Sequence, residues 1–312
     1  MWSPQTQRLI EIACDEDLGQ AGDLTSALLA EASTEIDARV VPRQPGVICG
    51  LAIGPAVCGV FSRRLSQRLR FATARAEGRE YRDGDAVEPG SCVATLGGPQ
   101  AAVLATERTL LNFLGRMSGV ATLTRRFVEV ARQANPRVSV LDTRKTIPGW
   151  RELDKYAVRT GGGQNHRFGL YDAVLIKDNH LAGVPIERLA ATLTDFLARL
   201  TRSPRGRAGR ACDLPLGWPS FVEVEVDSLE QLAEVCQVPG VDVVLLDNFP
   251  LEQMRAAAEY RDAQGLRGTL ALEASGGVTL DNVAAIAATG VDRISIGRLT
   301  HTAPSLDIGL DL

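Results

Sequence analysis

The sequence predicts an α/β protein: a small N-terminal sheet, then a barrel or doubly wound sheet of alternating strands and helices. Two patterns predict it. From residue 138 onward, six segments (VSVLDT, DAVLIKDN, FVEVEVDS, VDVVLLDN, TLALEASGG and DRISIGR) carry near-continuous apolar cores, as parallel strands buried on both faces do. Most of the gaps between them leave room for a helix, the signature of repeated strand–helix units. Between Ile36 and Leu96 the text differs. Alternating stretches such as IDARVV and LRFATARAEG are separated by PRQPG, YRDGD and VEPG, which reads as strands joined by tight turns.

Taken in order, Ser3 and Pro4 predict a helix start, with a capping hydroxyl followed by proline at the first helical position. Helical patterning resumes near Pro99 and runs to about Gln133, with a break expected at Ser118 and Gly119. In the second half, helices are expected over 229–237, 251–264 and 280–289. The segment 201–220, TRSPRGRAGRACDLPLGWPS, interrupts the rhythm and reads as a solvated loop.

The chain has 312 residues, enough for two domains or one large barrel with an appendage. A net charge of −4 gives no reason to expect nucleic acid or an anionic membrane as partner. No apolar run reaches the ~20 residues that span a bilayer, and the N-terminus lacks a signal-peptide pattern. Cys14, Cys49, Cys58, Cys92, Cys212 and Cys236 are scattered. They read as reduced thiols of a cytoplasmic protein, not as a disulfide framework or zinc site.

The strand ends carry the chemistry. Each apolar run finishes in polar or glycine residues: Asp142, Lys177 with Asp178 and Asn179, Glu223 and Glu225, Asp247 with Asn248, Ser275 to Gly277, and Gly297. In a barrel these C-terminal ends face the active site. Glycines after the last two strands expose backbone N–H groups suited to phosphate; tight turns are the alternative. Glu225 and Asp247 can hold Mg²⁺ directly or through water, bind ribose hydroxyls, or stabilise developing positive charge. One of Glu223 and Glu225 is expected to face inward, and Glu223 and Asp242 read as structural.

Of the 34 lysines and arginines only three are lysines, Lys145, Lys155 and Lys177, all between residues 141 and 180. Lysine is not interchangeable with arginine where a compact, rotatable ammonium is needed. Arg144, Lys145, His166, Arg167 and Lys177 lie at or near strand ends and call for a multiply anionic ligand. Lys177, embedded in an apolar run, either forms a Schiff base or holds an anion. Leu104, Arg108, Leu111 and Gly115 share a helix face. An arginine on that stripe suggests an interface; a snorkelling side chain is the alternative.

The stretches EDLGQAGDLTS, ERTLLNFLGRMSGVAT, LDTRKTIPGWRELDKYAVRTGGGQNHRFGLYDAVLIKDNH, VEVEVDS, VVLLDNF, EASGGV, ISIGRLTHT and LDIGLDL cover much of the chain. In these the chain resembles the quinolinate phosphoribosyltransferase (decarboxylating) family. The resemblance implies a glycosyltransferase (pentosyltransferase) that moves the phosphoribosyl group of phosphoribosyl pyrophosphate to quinolinate. The products would be nicotinate mononucleotide, pyrophosphate and CO₂, with Mg²⁺ required and no organic cofactor. It implies an N-terminal α/β sandwich over residues 1–116, with the tail 299–312 packing back on it. Residues 117–298 would form an incomplete, six- or seven-stranded α/β barrel of the type II phosphoribosyltransferase kind. It also implies a homodimer with shared active sites, or a higher oligomer.

Carried over by motif, Arg144, His166 and Arg167 would hold the quinolinate carboxylates, and Arg108 would reach the ligand across the interface. Lys145 and Lys177 would contact the phosphate-bearing substrate, with Glu225 and Asp247 near the ribose and the metal. Ser275, Gly276 and Gly297 would cradle the 5′-phosphate. Lys155 matches the motif without a catalytic role. Two departures, one extra residue in EDLGQAGD and a longer 201–220 loop, touch no motif residue. The rival readings are a phosphoribosyltransferase for another aromatic carboxylate, a Schiff-base aldolase using Lys177, and a non-catalytic phosphometabolite binder. The last would be expected to have lost Lys145, Glu225 or Asp247, and all three are present.

Overall fold

A computed structural model describes residues 2–29, 34–202 and 220–312. The segment 201–220, expected to be a loop, lies almost wholly outside them. In chain order the first part contributes α1 (Pro4–Leu18), α2 (Leu24–Leu29), β1 (Glu35–Pro42), α3 (Gly54–Leu65), β2 (Arg70–Thr73), β3 (Ala94–Pro99) and the long α4 (Gln100–Ala134). Then come β4 (Ser139–Leu141), α5 (Arg151–Thr160), β5 (Val174–Ile176), α6 (Leu189–Arg202), β6 (Val222–Val226), α7 (Leu229–Val235), β7 (Val243–Asp247) and α8 (Leu251–Ala263). β8 (Ala271–Ser275), α9 (Val283–Ala287), β9 (Arg293–Ser295), α10 (Arg298–His301) and β10 (Ile308–Asp311) complete the chain.

These elements form two compact units. One comprises Met1–Arg125, Lys145–Gly163 and Leu299–Leu312; the other comprises Arg126–Arg144 and Gln164–Arg298. The first unit is larger than the 1–116 plus 299–312 read from the sequence. It takes in most of α4 and the stretch that carries Lys145 and α5.

In the first unit, β10, β1, β3 and β2 form an antiparallel sheet in that order. The C-terminal strand therefore closes one edge, Arg39 lying opposite Asp311 and Pro42 opposite Ile308. α1 starts as the sequence predicts: the Ser3 hydroxyl accepts from the Thr6 amide at 3.3 Å, and Pro4 follows. Gly19, with φ 51°, ends it. The core of this unit is built from Ile10, Val57, Phe61, Leu96, Leu110, Phe113 and Leu114, all buried. Each such side chain contributes roughly 1.5–3 kcal/mol on leaving water.

In the second unit six parallel strands lie in the order β4-β9-β8-β7-β6-β5. This decides between the two architectures left open by the sequence. A doubly wound sheet reverses direction at a switch point; here the order never reverses. The first strand pairs with the last, and the edges β4 and β5 are consecutive in the chain. That is a singly wound barrel with one gap. Gln164 lies in the gap as a stub of strand: its amide donates to Val140 at 2.8 Å, and its carbonyl accepts from Asp142 at 3.1 Å. No helix among the described residues is long and apolar enough to cross a membrane.

The break expected at Ser118 and Gly119 does not occur, and α4 runs through it. Both residues serve packing instead. The Ser118 hydroxyl accepts from the Cys49 amide at 2.9 Å and donates to its carbonyl at 3.1 Å. A Cβ on Gly119 would sit 1.9 Å from the carbonyl oxygen of Pro304. Gly119→Ala is therefore expected to destabilise by about 1–3 kcal/mol. Gly59→Ala, on α3 with nothing nearer than Arg63 at 3.7 Å, is expected to be neutral or to stabilise by up to ~1 kcal/mol. Chemical denaturation of the two variants measures both values; equal effects would contradict the packing role.

Candidate active site

At the floor of the barrel lies a cluster of buried charge. Glu223 on β6 and Glu273 on β8 are fully buried. His166 Nε2 lies 2.9 Å from Glu223 and 3.4 Å from Glu273, and Arg293 Nε lies 2.7 Å from Glu273. Phe221 packs edge-on to the His166 ring at 5.3 Å, with the Arg293 guanidinium 5.2 Å from its centroid. Two carboxylates removed from water need such partners, because an unpaired buried charge is costly. Among the described residues, His166, Glu223 and Glu273 are the one group of three side chains close enough to share an ion. The Arg293 guanidinium supplies positive charge there.

The segment carrying His166 is held from the other side by Asp142, at the end of β4. Asp142 is fully buried, and its carboxylate accepts from the His166 amide at 2.9 Å and from the Asn165 side chain. The Arg167 amide donates to His166 Nδ1 at 2.8 Å. That nitrogen can accept only without a proton, so the proton sits on Nε2, facing Glu223. Burial opposes charge on His166, whereas Glu223 and Glu273 favour it and carry its pKa up to about 9. A second proton would oppose two N–H groups at Nδ1. The direct contact decides, and the ring is neutral in this arrangement. Burial and the neighbouring Glu273 push the Glu223 pKa up. Burial also pushes on Glu273, but His166 and Arg293 outweigh it and bring its pKa down. The pair is thus biased toward one retained proton, between Glu223 and His166.

Above this floor lie the strand-end cations. Arg167 is 7% exposed, and its guanidinium reaches the Ala173 carbonyl at 3.5 Å. Burial, then the like charge of Arg144, lowers its pKa. Arg144 itself is exposed. Two guanidiniums that repel each other, one of them buried, form a receptor for anionic groups. The Lys177 ammonium touches the Glu225 carboxylate. Asp247 pairs with Ser275 in the ladder, and its carboxylate accepts from the Asn248 side chain at 2.8 Å. Glu225 and Asp247 both line a cleft of about 260 Å³ together with Asp178, Asp227 and Gln231.

The expectation that only one of Glu223 and Glu225 faces inward does not hold. Residues two apart on a strand share a face. Glu223 is buried on that face and Glu225 lies at its rim.

Gly276 follows Ser275 with φ 96°, and a Cβ there would meet Asn248 Oδ1 at 2.1 Å. Asn248 is itself left-handed, with φ 55°, and its amide donates to Ser275. Glycine is therefore required by this turn. No hydrogen bond among the described residues engages the N–H groups of Gly276 and Gly277. Gly297 follows β9 at the neighbouring strand end.

Arg108 and Lys145 belong to the first unit. Arg108 is exposed on α4, with no ion pair or hydrogen bond among the described residues, and Lys145 is exposed. Lys155 is buried on α5. The residues that sequence reasoning left out are Glu273 and Arg293; Asp142 was named as a strand end without a role, and Glu223 was read as structural. A carboxylate inside an otherwise apolar strand, as in FVEVEV and LALEAS, is the signal that points to Glu223 and Glu273.

The fold and strand ends define a singly wound α/β barrel with an anion-binding mouth. Comparisons with known proteins bear on the fold and the family. Residues 23–118 match the family model described as quinolinate phosphoribosyl transferase, N-terminal domain, and residues 120–201 and 207–311 match its C-terminal domain. The nicotinate-nucleotide pyrophosphorylase [carboxylating] of Mycobacterium leprae is 40% identical over 97% of this chain and 95% of its own length. A probable enzyme of the same name from Bacillus subtilis is 37% identical over 99% and 93%. The crystal structure of NadC from Streptococcus pyogenes superposes with a TM-score of 0.82 at 31% identity, covering 100% of this chain and 98% of the other. The chain belongs to the quinolinate phosphoribosyl transferase family.

In ¹⁵N-labelled protein at pH 7, the His166 ring is expected as the neutral Nε2–H tautomer. A doubly protonated ring in long-range ¹H–¹⁵N spectra would contradict the assignment.

Proposed function

We propose that this chain transfers the phosphoribosyl group of phosphoribosyl pyrophosphate to quinolinate with loss of CO₂, giving nicotinate mononucleotide and pyrophosphate. The observation that carries the reading is the buried Arg167 beside Arg144, joined to membership of the family. Two guanidiniums at one strand-end edge suit a ligand with two carboxylates. Arg144 and Arg167 take those carboxylates, and His166, both nitrogens engaged, fixes Arg167 between them.

The ring nitrogen of quinolinate is the nucleophile, so no protein base is needed and positioning is a large part of catalysis. Lys145 and Lys177 neutralise the pyrophosphate that leaves. Glu225 and Asp247 stabilise the cation-like ribosyl carbon. The N–H groups after β8 and β9, at Ser275, Gly276 and Gly297, receive the 5′-phosphate. Once alkylated, the ring nitrogen is positive and accepts the electron pair released as the adjacent carboxylate departs as CO₂. The ring carbon then takes up a proton.

Glu225 and Asp247 fit Mg²⁺, which is bound through one or two carboxylates plus substrate phosphates. Both stand at neighbouring strand ends and line one acidic cleft. When bound, Mg²⁺ supplies charge neutralisation for pyrophosphate. No organic cofactor is called for by these steps.

The aldolase reading asks Lys177 for a neutral, desolvated amine. Its side chain is 44% exposed and rests on a carboxylate, which favours the role of a point charge. A solvent-exposed Arg108 with no partner among the described residues supports its donation to a second copy of the chain in a homodimer. The free cysteines at five described positions support a reducing, cytoplasmic setting. The net charge of −4 favours small-molecule over nucleic-acid partners.

The direct test is pyrophosphate and CO₂ release from phosphoribosyl pyrophosphate and Mg²⁺ with quinolinate, compared with nicotinate. Turnover is expected with quinolinate; equal or better turnover with nicotinate would reverse the assignment. Arg108→Ala and Lys145→Ala are each expected to be nearly inactive, and subunit exchange between them should restore activity. If exchange restores none, Arg108 does not act across subunits.

A further inference from the structure

Three residues of the matched motifs have been given no role so far: the arginine of LGRMSG, the aspartate of RELDKY and the first threonine of LTHT. In the first unit they meet. Arg116 on α4 lies on Asp154 of α5, with Nε 3.2 Å and Nη2 3.0 Å from the same carboxylate oxygen. Asp154 is 1% exposed. The same Nη2 donates to the backbone carbonyl of Thr300 on α10. Thr300 is fully buried, and its hydroxyl donates to the backbone carbonyl of Lys145 at 2.7 Å.

The chain of contacts therefore runs from a buried carboxylate, through a guanidinium, to both polar ends of Thr300, and ends on the peptide of Lys145. A buried ion pair is weak evidence for stability, because apolar residues of the same volume would serve as well. What this one does is fix a backbone. Lys145 sits in the loop 142–150 between β4 and α5, which has no regular secondary structure. A side chain on such a loop is placed only as well as its backbone is held, and misplacement of about 1 Å can cost on the order of 100-fold in rate.

We infer that Thr300, clamped by the Arg116–Asp154 pair, is a positioning residue that fixes Lys145 for the phosphate-bearing substrate. The inference rests on the proposed role of Lys145. Thr300→Val keeps the shape and removes the donor; Thr300→Ser keeps the donor.

The experiment measures kcat/KM for phosphoribosyl pyrophosphate, and quinolinate affinity by calorimetry, in wild type and in the variants T300V, T300S, K145A and T300V/K145A. The expected result for T300V is a loss on the order of 10- to 100-fold in kcat/KM, with quinolinate affinity within about twofold of wild type. T300S should restore most of the rate, and T300V should add no loss in the K145A background. A merely structural threonine would lower the rate equally in both backgrounds. That result, or a T300V enzyme within about twofold of wild type, overturns the inference. Should T300V not fold, Thr300→Ala carries the same comparison, since it too removes the hydroxyl that donates to the Lys145 carbonyl. An inactive wild type, or a fully active K145A, would sink the proposed function or the role of Lys145, and the inference with it.

Discussion

Two glutamates buried inside a parallel barrel set the terms for the second unit. Glu223 and Glu273 lie where an all-apolar interior would be less costly, and neither reaches solvent. Their charge has to be answered within the barrel: the Arg293 guanidinium lies 2.7 Å from Glu273, and the neutral His166 ring turns Nε2 to Glu223 at 2.9 Å. His166 follows two residues after Gln164, which lies in the gap between β4 and β5. Asp142 holds the backbone of that segment, and Nδ1 of the ring holds the next amide. The backbone position of Arg167 follows from this arrangement. An arginine that is 7% exposed is placed by its neighbours and not by solvent.

The rim of the barrel gathers charges of both signs around that fixed point. Lys177 touches Glu225, Arg144 repels Arg167, and Asp247 is braced by Asn248. The turn at Gly276 is dictated by Asn248, whose side chain fills the place a Cβ would take. The carboxylates Glu225 and Asp247 stand on adjacent strands and the guanidiniums of Arg144 and Arg167 lie together, which suits a substrate pair carrying both anions and a carbon that becomes cationic. The first unit contributes its own ordering device, in which a buried Arg116–Asp154 pair acts through Thr300 on the loop of Lys145.

Much of this was legible in the sequence, for identifiable reasons. A parallel strand buried on both faces leaves a continuous apolar run, so its polar end stands out; Lys177, Glu225, Asp247 and Ser275 were all found that way. The order of the strands was not legible, because periodicity does not encode which strand pairs with which. The choice between barrel and doubly wound sheet needed the β4-β9 pairing. Ser118 and Gly119 looked like a helix break because local propensity cannot see Cys49 or the Pro304 carbonyl, both distant in sequence. The floor of the barrel was hidden for the same reason. His166, Glu223, Glu273 and Arg293 are spread over more than a hundred residues; His166 stood out as a cation near a strand end, but nothing in the sequence joins it to the other three. The three lysines proved unequal: Lys177 sits at a rim, Lys145 on a loop, and Lys155 is buried on α5.

The central claim is that Glu223 acts on the substrate site through His166. A double-mutant cycle read in quinolinate affinity by calorimetry tests it most directly, using Glu223→Gln, His166→Asn and the pair. Each single change is expected to weaken binding by about tenfold or more, a loss of ~1.4 kcal/mol, and the double variant should bind no more weakly than the worse single one. Losses that multiply, or an E223Q protein that binds quinolinate as wild type does, would contradict the account.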